Sequence, residues 1–310
     1  MKKIVVIAGP TASGKTALSV QLAKRFGGEI ISADSMQIYR GMPVATAVAT
    51  PEEQEGVPHH LIEFLEPDEP FSVAEFVKLA NEKIDEIICR GHVPFIVGGT
   101  GLFIDSLLNN LSFADSGRDP VLREKLSARM EREGCEALYA ELLAIDPEGA
   151  AALHPNNRGR VIRALELYYS SGITASEQVR RSKAQPPPFE ALTVGITYRD
   201  RRKLYSRINR RVDCMVQNGL IEEARKNLGK SDGATSRQAI GHKELRPYFE
   251  SELTLEQVLE NLKRETRRYA KRQLTWFRRH GDVHWLYADE MTPDELLESS
   301  EALITKFLKG

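Results

Sequence analysis

Cysteine is scarce in this sequence, and no apolar run approaches the length that crosses a membrane. The three cysteines, Cys89, Cys135 and Cys214, are far apart and include no C-x-x-C pair, so they indicate neither a zinc site nor a disulfide framework. We expect them to be buried free thiols. The chain begins with Met1-Lys2-Lys3 and a core strand instead of a cleavable signal. These features argue against a membrane protein and predict a cytoplasmic one.

A strong net charge is also missing, because 43 lysines and arginines nearly balance 44 aspartates and glutamates over 310 residues. The charge is nevertheless unevenly distributed. Residues 1–100 hold 9 basic and 13 acidic residues, whereas residues 261–280 hold 8 basic residues and 1 acidic residue. The C-terminal part is therefore where we expect a polyanion to bind.

The most informative pattern is a phosphate-binding motif near the start of the chain. The apolar run Ile4 to Ala8 leads into the octet Gly9-Pro10-Thr11-Ala12-Ser13-Gly14-Lys15-Thr16 and then into a helical stretch. The octet fits G-x-x-x-x-G-K-[ST], in which backbone N–H groups hold phosphate oxygens, the lysine adds positive charge and the last hydroxyl can hold Mg²⁺. The motif predicts binding of an oligophosphate or a pyrophosphate without specifying which.

Strand and helix patterns alternate after this motif. Apolar runs predict strands at 29–33, 61–65, 93–97, 192–197 and 283–287, and helical spacing predicts helices at about 16–26, 73–88, 204–216, 254–280 and 292–309. The alternation is typical of an α/β fold, and with the phosphate loop it predicts a P-loop NTPase-like parallel sheet flanked by helices.

Residues 115–185 differ from the rest because charged helical segments replace strands there, and the stiff run Pro186 to Pro188 follows. We predict a helical insertion domain at 115–185, able to move as a lid, between core parts at 1–114 and 186–310. The alternative is that these helices pack on one common core.

Three side chains outside the loop are candidates for chemistry. Asp34 follows the second strand, where the carboxyl ends of parallel strands face the ligand crevice. It can bind Mg²⁺, act as a general base or cap the turn that follows. Arg207 and Arg211 are four residues apart on one predicted helix, so they can clamp a phosphate together unless they are only solvated.

The strand at 93–97 ends in glycines, where many nucleotide hydrolases place a Mg²⁺-binding aspartate, and this argues against an ATPase motor. The long helix at about 254–280 carries arginines and lysines with Tyr269, Trp276 and Phe277 interleaved. Such a helix suits contact with a nucleic-acid backbone, although many basic helices are only solvated faces.

Four segments together resemble the bacterial tRNA dimethylallyltransferases, the tRNA isopentenyltransferase family. They are the phosphate loop, Asp34-Ser35-Met36-Gln37, Val97-Gly98-Gly99-Thr100-Gly101 and Ala270-Lys271-Arg272-Gln273-Leu274-Thr275-Trp276. The resemblance covers nearly the whole chain. It implies transfer of a dimethylallyl group from dimethylallyl diphosphate to the exocyclic amine of adenosine 37 in tRNA, with diphosphate released and Mg²⁺ as cofactor. The implied partner is the anticodon stem-loop, and we expect a monomer.

The resemblance also implies residue roles. The catalytic positions are Asp34 as general base, Thr100 beside the target nucleotide and Arg211 on the leaving diphosphate. The diphosphate is expected at Gly9, Thr11, Ala12, Ser13, Gly14, Lys15 and Thr16, with Arg207 from the clamp and Mg²⁺ on Thr16. The tRNA is expected to contact Asp34, Ser35, Met36, Gln37, Thr100, Arg123, Gly159, Arg160, Val161, Ile162, Arg163, Gln238, Ala239, Ile240, Gly241, His242 and Lys243. His242 departs from the family, in which tyrosine is common at this position.

Two other classes share part of the pattern. A small-molecule P-loop kinase would bind ATP with the same loop, but its acceptor site would not need the basic C-terminal helix. A non-catalytic RNA-binding protein would have no reason to keep Asp34 beside the sheet crevice.

The basic helix provides a first test. We predict that affinity for an anticodon stem-loop weakens steeply with salt, because phosphates that contact lysine or arginine release counterions. Several such contacts should lower the affinity roughly tenfold or more between about 50 and 200 mM KCl. Binding titrations over this range measure the slope, and a flat response would contradict the place given to the helix.

Overall fold

The computed structural model describes residues 1–109, 119–183, 186–228, 236, 239–279 and 281–310. The chain divides into two compact units, one formed by Met1–Leu108 with Phe189–Gly310 and the other by Asn109–Pro188. The predicted start of the insertion, between residues 114 and 115, lies outside the described residues, and so does its predicted last residue, 185. Within the described ranges, no helix combines the length and the apolar composition needed to cross a membrane.

Among the described residues, six strands form the sheet of the first unit, and each neighbouring pair is parallel. The strands are β1 (Lys2–Ala8), β2 (Gly28–Ser32), β3 (His59–His60), β4 (Val93–Gly98), β5 (Phe189–Thr197) and β6 (Val283–Tyr287). Their spatial order is β3-β2-β4-β1-β5-β6, with the strand of the phosphate loop inside the sheet. This topology confirms the predicted α/β fold with a P-loop NTPase-like parallel sheet.

The helices, in chain order, are α1 (Lys15–Phe26), α2 (Pro43–Thr46), α3 (Pro51–Gln54), α4 (Val73–Cys89), α5 (Gly101–Leu108), α6 (Pro120–Glu133), α7 (Cys135–Ile145), α8 (Pro147–Ala151), α9 (Arg158–Ser171), α10 (Ala175–Lys183), α11 (Arg201–Gln217), α12 (Leu220–Asn227), α13 (His242–Phe249), α14 (Leu255–Phe277) and α15 (Pro293–Lys309). Helices α6 to α10 lie in the second unit, where Leu126, Leu138 and Leu165 belong to a separate apolar core.

Successive residues of the central strands face two different apolar layers, because side chains alternate across a strand. Ile4 and Val6 of β1 belong to the core that also contains Phe76 of α4. Val5 and Ile7 belong to the core on the other side, which includes residues of α1 and α15. Strands covered on both faces read as continuous apolar runs, and this is why the sequence predicted them well.

The strand predicted at 61–65 is wrong. Pairing with β2 is limited to His59 and His60. Leu61 and Glu63 have φ angles of 59° and 45°, which a pleated strand does not accommodate. The apolar run there packs into the core as a bent segment, and its Leu65 makes an isolated parallel bridge with Tyr39.

The cysteines are free thiols, but their predicted burial is wrong for two of them. Cys89 and Cys214 are exposed and Cys135 is half-buried. In α11 the buried face is formed by Leu204, Ile208 and Val212. Cys214 is two positions beyond Val212, and this spacing turns it away from that face.

A buried carboxylate joins the elements at the amino-terminal end of β2. Glu29 accepts two hydrogen bonds from the Arg90 guanidinium, at 2.9 and 2.8 Å, and one each from His60 Nε2 at 2.6 Å and His92 Nδ1 at 2.7 Å. The Arg90 hydrogen bonds contribute most to lowering the pKa of Glu29 to about 2. Glu29 thus links β2 to β3 and to the end of α4.

We predict that Glu29→Gln lowers the free energy of unfolding by about 2 kcal/mol at pH 7. This figure is below the full linkage value because Arg90 is partly exposed and the amide keeps some hydrogen bonds. Because folding lowers the carboxyl pKa, its contribution is complete above about pH 4.5 and disappears as the pH falls towards about 2. Urea unfolding from pH 7 to pH 3 should therefore show the wild type and the variant converging.

The matched control is Glu86→Gln, which keeps the Glu29 carboxylate and removes an exposed carboxylate that pairs with Lys83 and lies 3.9 Å from the Arg90 guanidinium. We expect little change in stability from it. Equal losses for the two variants, or a Glu29→Gln loss that does not depend on pH, would contradict the role assigned to Glu29.

Candidate active site

A cavity of about 360 Å³ lies at the carboxyl ends of β1, β2 and β4. Its polar lining comes from the phosphate loop, from the segment after β2, and from α11 and α14. The lining residues are Thr11, Lys15, Thr16, Asp34, Ser35, Met36, Gln37, Ala45, Thr46, Ala47, Val97, Gly98, Gly99, Arg211, Val212, Met215, Ala239, Ile240, Lys243, Leu262, Thr266, Tyr269, Arg272 and Gln273. The cavity therefore combines cationic, acidic and aliphatic side chains.

The phosphate loop connects β1 to α1 and has the backbone geometry of an anion cradle. Gly9 has a φ of 151°, and a Cβ there would lie 2.3 Å from the carbonyl oxygen of Ile196, so only glycine fits. Gly14, at the N-cap of α1, has a φ of 98°. The Ser13 hydroxyl is buried and has no hydrogen-bond partner among the described residues. An incoming phosphate oxygen would satisfy it.

Two cationic side chains share this end of the cavity. Burial and then the charge of Arg211 lower the pKa of Lys15 from 10.5 to about 7, while Asp34 acts in the opposite direction. Burial also lowers the pKa of Arg211, again opposed by Asp34. The Lys15 ammonium donates to the carbonyl oxygen of Pro10 at 2.7 Å. An anion bound between Lys15 and Arg211 would relieve their repulsion.

The two arginines of the predicted clamp occupy different positions. Arg211 lines the cavity. Arg207 is exposed, and its Nε donates to the carbonyl oxygen of Ala12 at 3.1 Å while its guanidinium lies 5.6 Å from the ring centre of Tyr198. Arg207 thus holds the loop backbone, and a direct phosphate contact from it stays a prediction.

Asp34 lines the cavity and also caps a turn. Its Oδ1 accepts a hydrogen bond from the Met36 N–H at 2.9 Å, which is the capping role considered from the sequence. Thr100, which follows β4, accepts from the Ser35 N–H at 3.0 Å and donates to the Ser35 hydroxyl at 3.4 Å. The ends of β2 and β4 are thereby tied together beside the carboxylate.

Gln37 uses its side chain within the protein. Its Oε1 accepts from the Ser32 hydroxyl at 2.8 Å, and its Nε2 donates to the carbonyl oxygens of Thr46 and Ala47 at 3.2 and 3.1 Å. Gln37 therefore fixes the segment that contains α2.

Two residues of α14 have roles that the sequence did not assign. Gln273 is 5% exposed; its Oε1 accepts from the Thr11 N–H at 2.9 Å, and its Nε2 donates to the carbonyl oxygen of Gly99 at 3.0 Å. Tyr269 lines the cavity, and burial raises its pKa. The four-residue spacing of Tyr269 and Gln273 on one helix is the signal that could have placed them on one face.

The segment before α13 contributes unequally to the cavity. Ala239, Ile240 and Lys243 line it. Gly241 is the N-cap of α13, and His242 Nε2 donates to Glu223 Oε1 at 3.0 Å. Gln238 lies outside the described residues.

The predicted tRNA-binding residues of the second unit differ in exposure. Arg123 and Arg163 both pair with Glu166 Oε2, at 3.2 and 2.9 Å, and Glu166 is buried. Gly159 and Arg160 are exposed. Glu166 was not singled out in the sequence, although it is three residues beyond Arg163 on α9.

Val161 and Ile162, which the family resemblance implied as tRNA contacts, have buried side chains. Both belong to the apolar core of the second unit, with exposures of 0% and 8%. A helix whose one face packs inward buries neighbouring apolar residues, so these two side chains do not present a surface to RNA.

Mg²⁺ fits this site together with a phosphate ligand. Thr16 and Asp34 line the cavity and offer oxygens, which Mg²⁺ prefers. Within the described ranges, no group of three or more His, Cys, Asp or Glu side chains is placed to hold a metal. Mg²⁺ commonly binds through one or two protein oxygens, substrate phosphates and water, and Thr16 suits that arrangement.

The fold and the site define a P-loop protein whose cavity joins an anion cradle to an aliphatic wall. The chain belongs to the IPP transferase family: the family model described as IPP transferase matches residues 37–280, and one described as isopentenyl transferase matches residues 2–63. This membership confirms the resemblance seen in the sequence.

Individual relatives agree with the family assignment. A tRNA dimethylallyltransferase of Bacillus subtilis (strain 168) is 49% identical over 99% of this chain and 96% of its own length. The crystal structure of a tRNA isopentenylpyrophosphate transferase from Bacillus halodurans has a TM-score of 0.75 at 45% identity, covering 100% of this chain and 97% of that one. A eukaryotic dimethylallyltransferase, solved acting on tRNA, has a TM-score of 0.85 at 31% identity, covering 100% and 80%.

We predict that affinity for inorganic diphosphate falls as the pH rises above 7. Lys15, with a pKa of about 7, is protonated below this pH and neutral above it, so binding at higher pH requires proton uptake. The loss should approach about tenfold per pH unit. Calorimetric titrations between about pH 6.5 and 8.5 measure the affinity and the proton uptake.

The matched control is Lys15→Arg, because a guanidinium stays charged over this range. Titration of the diphosphate itself affects both proteins equally. The same pH dependence in both would show that Lys15 is not the titrating group.

Proposed function

We propose that this protein transfers a dimethylallyl group from dimethylallyl diphosphate to the exocyclic amine of adenosine 37 in tRNA and releases diphosphate. The observation that carries the proposal is one cavity that contains Lys15 and Arg211, the Asp34 carboxylate and an aliphatic wall. A prenyl diphosphate has the matching parts, an anionic head and an apolar tail. Family membership supports the same reaction.

The diphosphate head binds in the phosphate loop under this proposal. The loop N–H groups, the Ser13 hydroxyl and the Lys15 ammonium meet its oxygens, and Arg211 faces it from α11. Mg²⁺, held by Thr16 and the phosphates, would add positive charge where the leaving group develops negative charge. Lys15 takes up a proton when the head binds, because the new anion favours its charged form.

The acceptor amine needs help, because an exocyclic amine on an aromatic base is a poor nucleophile. In the transfer step the bond from the amine nitrogen to the allylic carbon forms, and the bond from that carbon to the diphosphate oxygen breaks. The proton lost by the amine goes to Asp34, which acts as a general base. The turn cap on Oδ1 holds the carboxylate in place for this role.

The target base has to leave the stack of the anticodon loop before it can enter the cavity, at a cost of about a few kcal/mol. Thr100 and the segment 34–37 are proposed to receive it, and Lys243 and the outer face of α14 to contact the RNA. Arg123, Arg160 and Arg163 are proposed as further phosphate contacts. We also propose that the protein acts in the cytoplasm as a monomer on the anticodon stem-loop.

The direct test incubates the protein with an unmodified anticodon stem-loop and labelled dimethylallyl diphosphate. We predict label on the RNA and release of diphosphate. Consumption of ATP without labelled RNA would favour a small-molecule kinase, and RNA binding without either reaction would favour a non-catalytic RNA-binding protein.

We predict that Asp34→Ala lowers turnover by about two to four orders of magnitude, as the loss of a general base does, with RNA affinity nearly unchanged. Asp34→Asn is the matched control, because its amide oxygen can still accept the Met36 N–H. If Asp34 acts as the base, both variants lose turnover in single-turnover assays. If Asp34 only caps the turn, Asp34→Asn keeps most of the activity.

A further inference from the structure

Part of the cavity wall is a segment that does not stabilise itself. Helix α2 has four residues, Pro43–Thr46, and a single helical turn is unstable in water. Met42 at its N-cap provides no side-chain hydrogen bond. The N–H groups of the first turn therefore require acceptors from elsewhere. Ala45 and Thr46 of this turn, with Ala47, nevertheless line the cavity.

Glu223 of α12 supplies the missing acceptors. Its Oε2 accepts from the Val44 N–H at 2.7 Å, and its Oε1 accepts from the Ala45 N–H at 2.9 Å. The Glu223 side chain is 9% exposed, so water competes little for these hydrogen bonds. A charged acceptor makes them stronger than hydrogen bonds between neutral groups.

Two further contacts fix Glu223 and its helix against this segment. His242 Nε2 donates to Glu223 Oε1 at 3.0 Å, and the His242 side chain is 11% exposed. One turn further along α12, Asn227 Nδ2 donates to the carbonyl oxygen of Gly41 at 2.8 Å. The other end of the segment is held by Gln37, as described above. We call the part of the cavity lining formed by Ala45, Thr46 and Ala47 the Ala45 wall. Polar groups therefore fix this wall from two sides.

The wall fixed in this way belongs to the aliphatic part of the cavity. Ala45, Val212 and Leu262 belong to one buried apolar cluster, and Met215 and Ile240 pack against it. All five line the cavity. An aliphatic group bound there would contact Ala45, so the position of Ala45 limits the space available to it.

We propose that Glu223 is a positioning residue that fixes the Ala45 wall and thereby sets the length of prenyl chain that the cavity accepts. This inference rests on the proposed function, since it takes the aliphatic part of the cavity to hold the prenyl tail. Without the carboxylate, the first turn of α2 loses its acceptors and Ala45 moves outward. The cavity then holds a five-carbon chain less tightly and a longer chain more easily.

The test is Glu223→Gln, assayed with an anticodon stem-loop and either dimethylallyl diphosphate or the ten-carbon geranyl diphosphate. A glutamine amide has one neutral acceptor oxygen where the carboxylate has two charged ones. It therefore cannot accept hydrogen bonds from the Val44 N–H, the Ala45 N–H and His242 as the carboxylate does. We expect KM for dimethylallyl diphosphate to rise about tenfold while kcat changes less than about threefold. The ratio of kcat/KM for geranyl to that for dimethylallyl diphosphate should rise about tenfold.

The matched control is Glu222→Gln, which changes the neighbouring, exposed carboxylate of α12 and should leave the donor ratio at the wild-type value. If Glu223→Gln does not fold, as judged by urea unfolding, Met215→Ala tests the same wall. It enlarges the aliphatic part without touching Glu223 and should also raise the donor ratio. An unchanged ratio for Met215→Ala would overturn the proposal.

The outcomes separate the two levels of inference. A wild-type protein that transfers no label from dimethylallyl diphosphate would overturn the proposed function. A wild type that transfers label, with a Glu223→Gln variant that loses activity equally for both donors, would leave that function standing and overturn the positioning role of Glu223.

Discussion

The side-chain amide of Gln273 holds the site together. It bridges the Thr11 N–H of the phosphate loop and the carbonyl oxygen of Gly99 at the end of β4, and it does so from α14, more than 170 residues further along the chain. A Cβ on Gly99 would lie 2.1 Å from the Gln273 nitrogen, so the bridge depends on glycine at that position. Because the amide is buried, loss of either partner would leave a costly unpaired group. The phosphate loop, the sheet and α14 are consequently held together by the hydrogen bonds of one side chain.

The charged side chains of the cavity influence one another because the fold places them in one lining. Burial and the nearby Arg211 leave Lys15 with a pKa of about 7, so its charge is only partly established before an anion arrives. Asp34 lies close enough to oppose that shift while its Oδ1 accepts from the backbone. The carboxyl ends of β1 and β2 thus place a lysine with a lowered pKa and a carboxylate in the lining of one cavity. Such an arrangement suits a reaction in which an anion departs and an amine loses a proton.

The sequence was most informative where local pattern decides structure. The inner strands β1 and β4 are nearly continuous apolar runs because both of their faces are covered. The phosphate loop is recognisable because its backbone demands glycine at Gly9 and Gly14. The pattern misled at 61–65, where an apolar run is a bent segment with positive φ angles at Leu61 and Glu63. The family resemblance implied tRNA contacts at Val161 and Ile162, but both side chains are buried, because position in a motif carries no information on which side of a helix is buried.

The roles that the sequence missed depend on tertiary contacts. Nothing in the neighbourhood of Glu166, Glu223 or Gln273 reveals which distant groups each will meet. Helical spacing can place Tyr269 and Gln273 on one face, but it cannot state that this face meets a phosphate loop. Long-range hydrogen bonds of single polar side chains are therefore the part of a site that sequence patterns reveal least.

Helix α14 holds the phosphate loop through Gln273 on one face, and its outer face is proposed to contact the RNA. These two roles restrict how the helix can change. Each residue advances a helix by about 100°, so one inserted or deleted residue before Tyr269 rotates every later side chain by that angle. Gln273 would lose its hydrogen bond with Thr11, Arg272 would leave the cavity lining, and Trp276 would lose its hydrogen bond with Asp105. Point substitutions on the solvent-facing side leave the angular positions of Gln273 and Arg272 unchanged, so α14 tolerates a change of charge there better than a change of length before Tyr269.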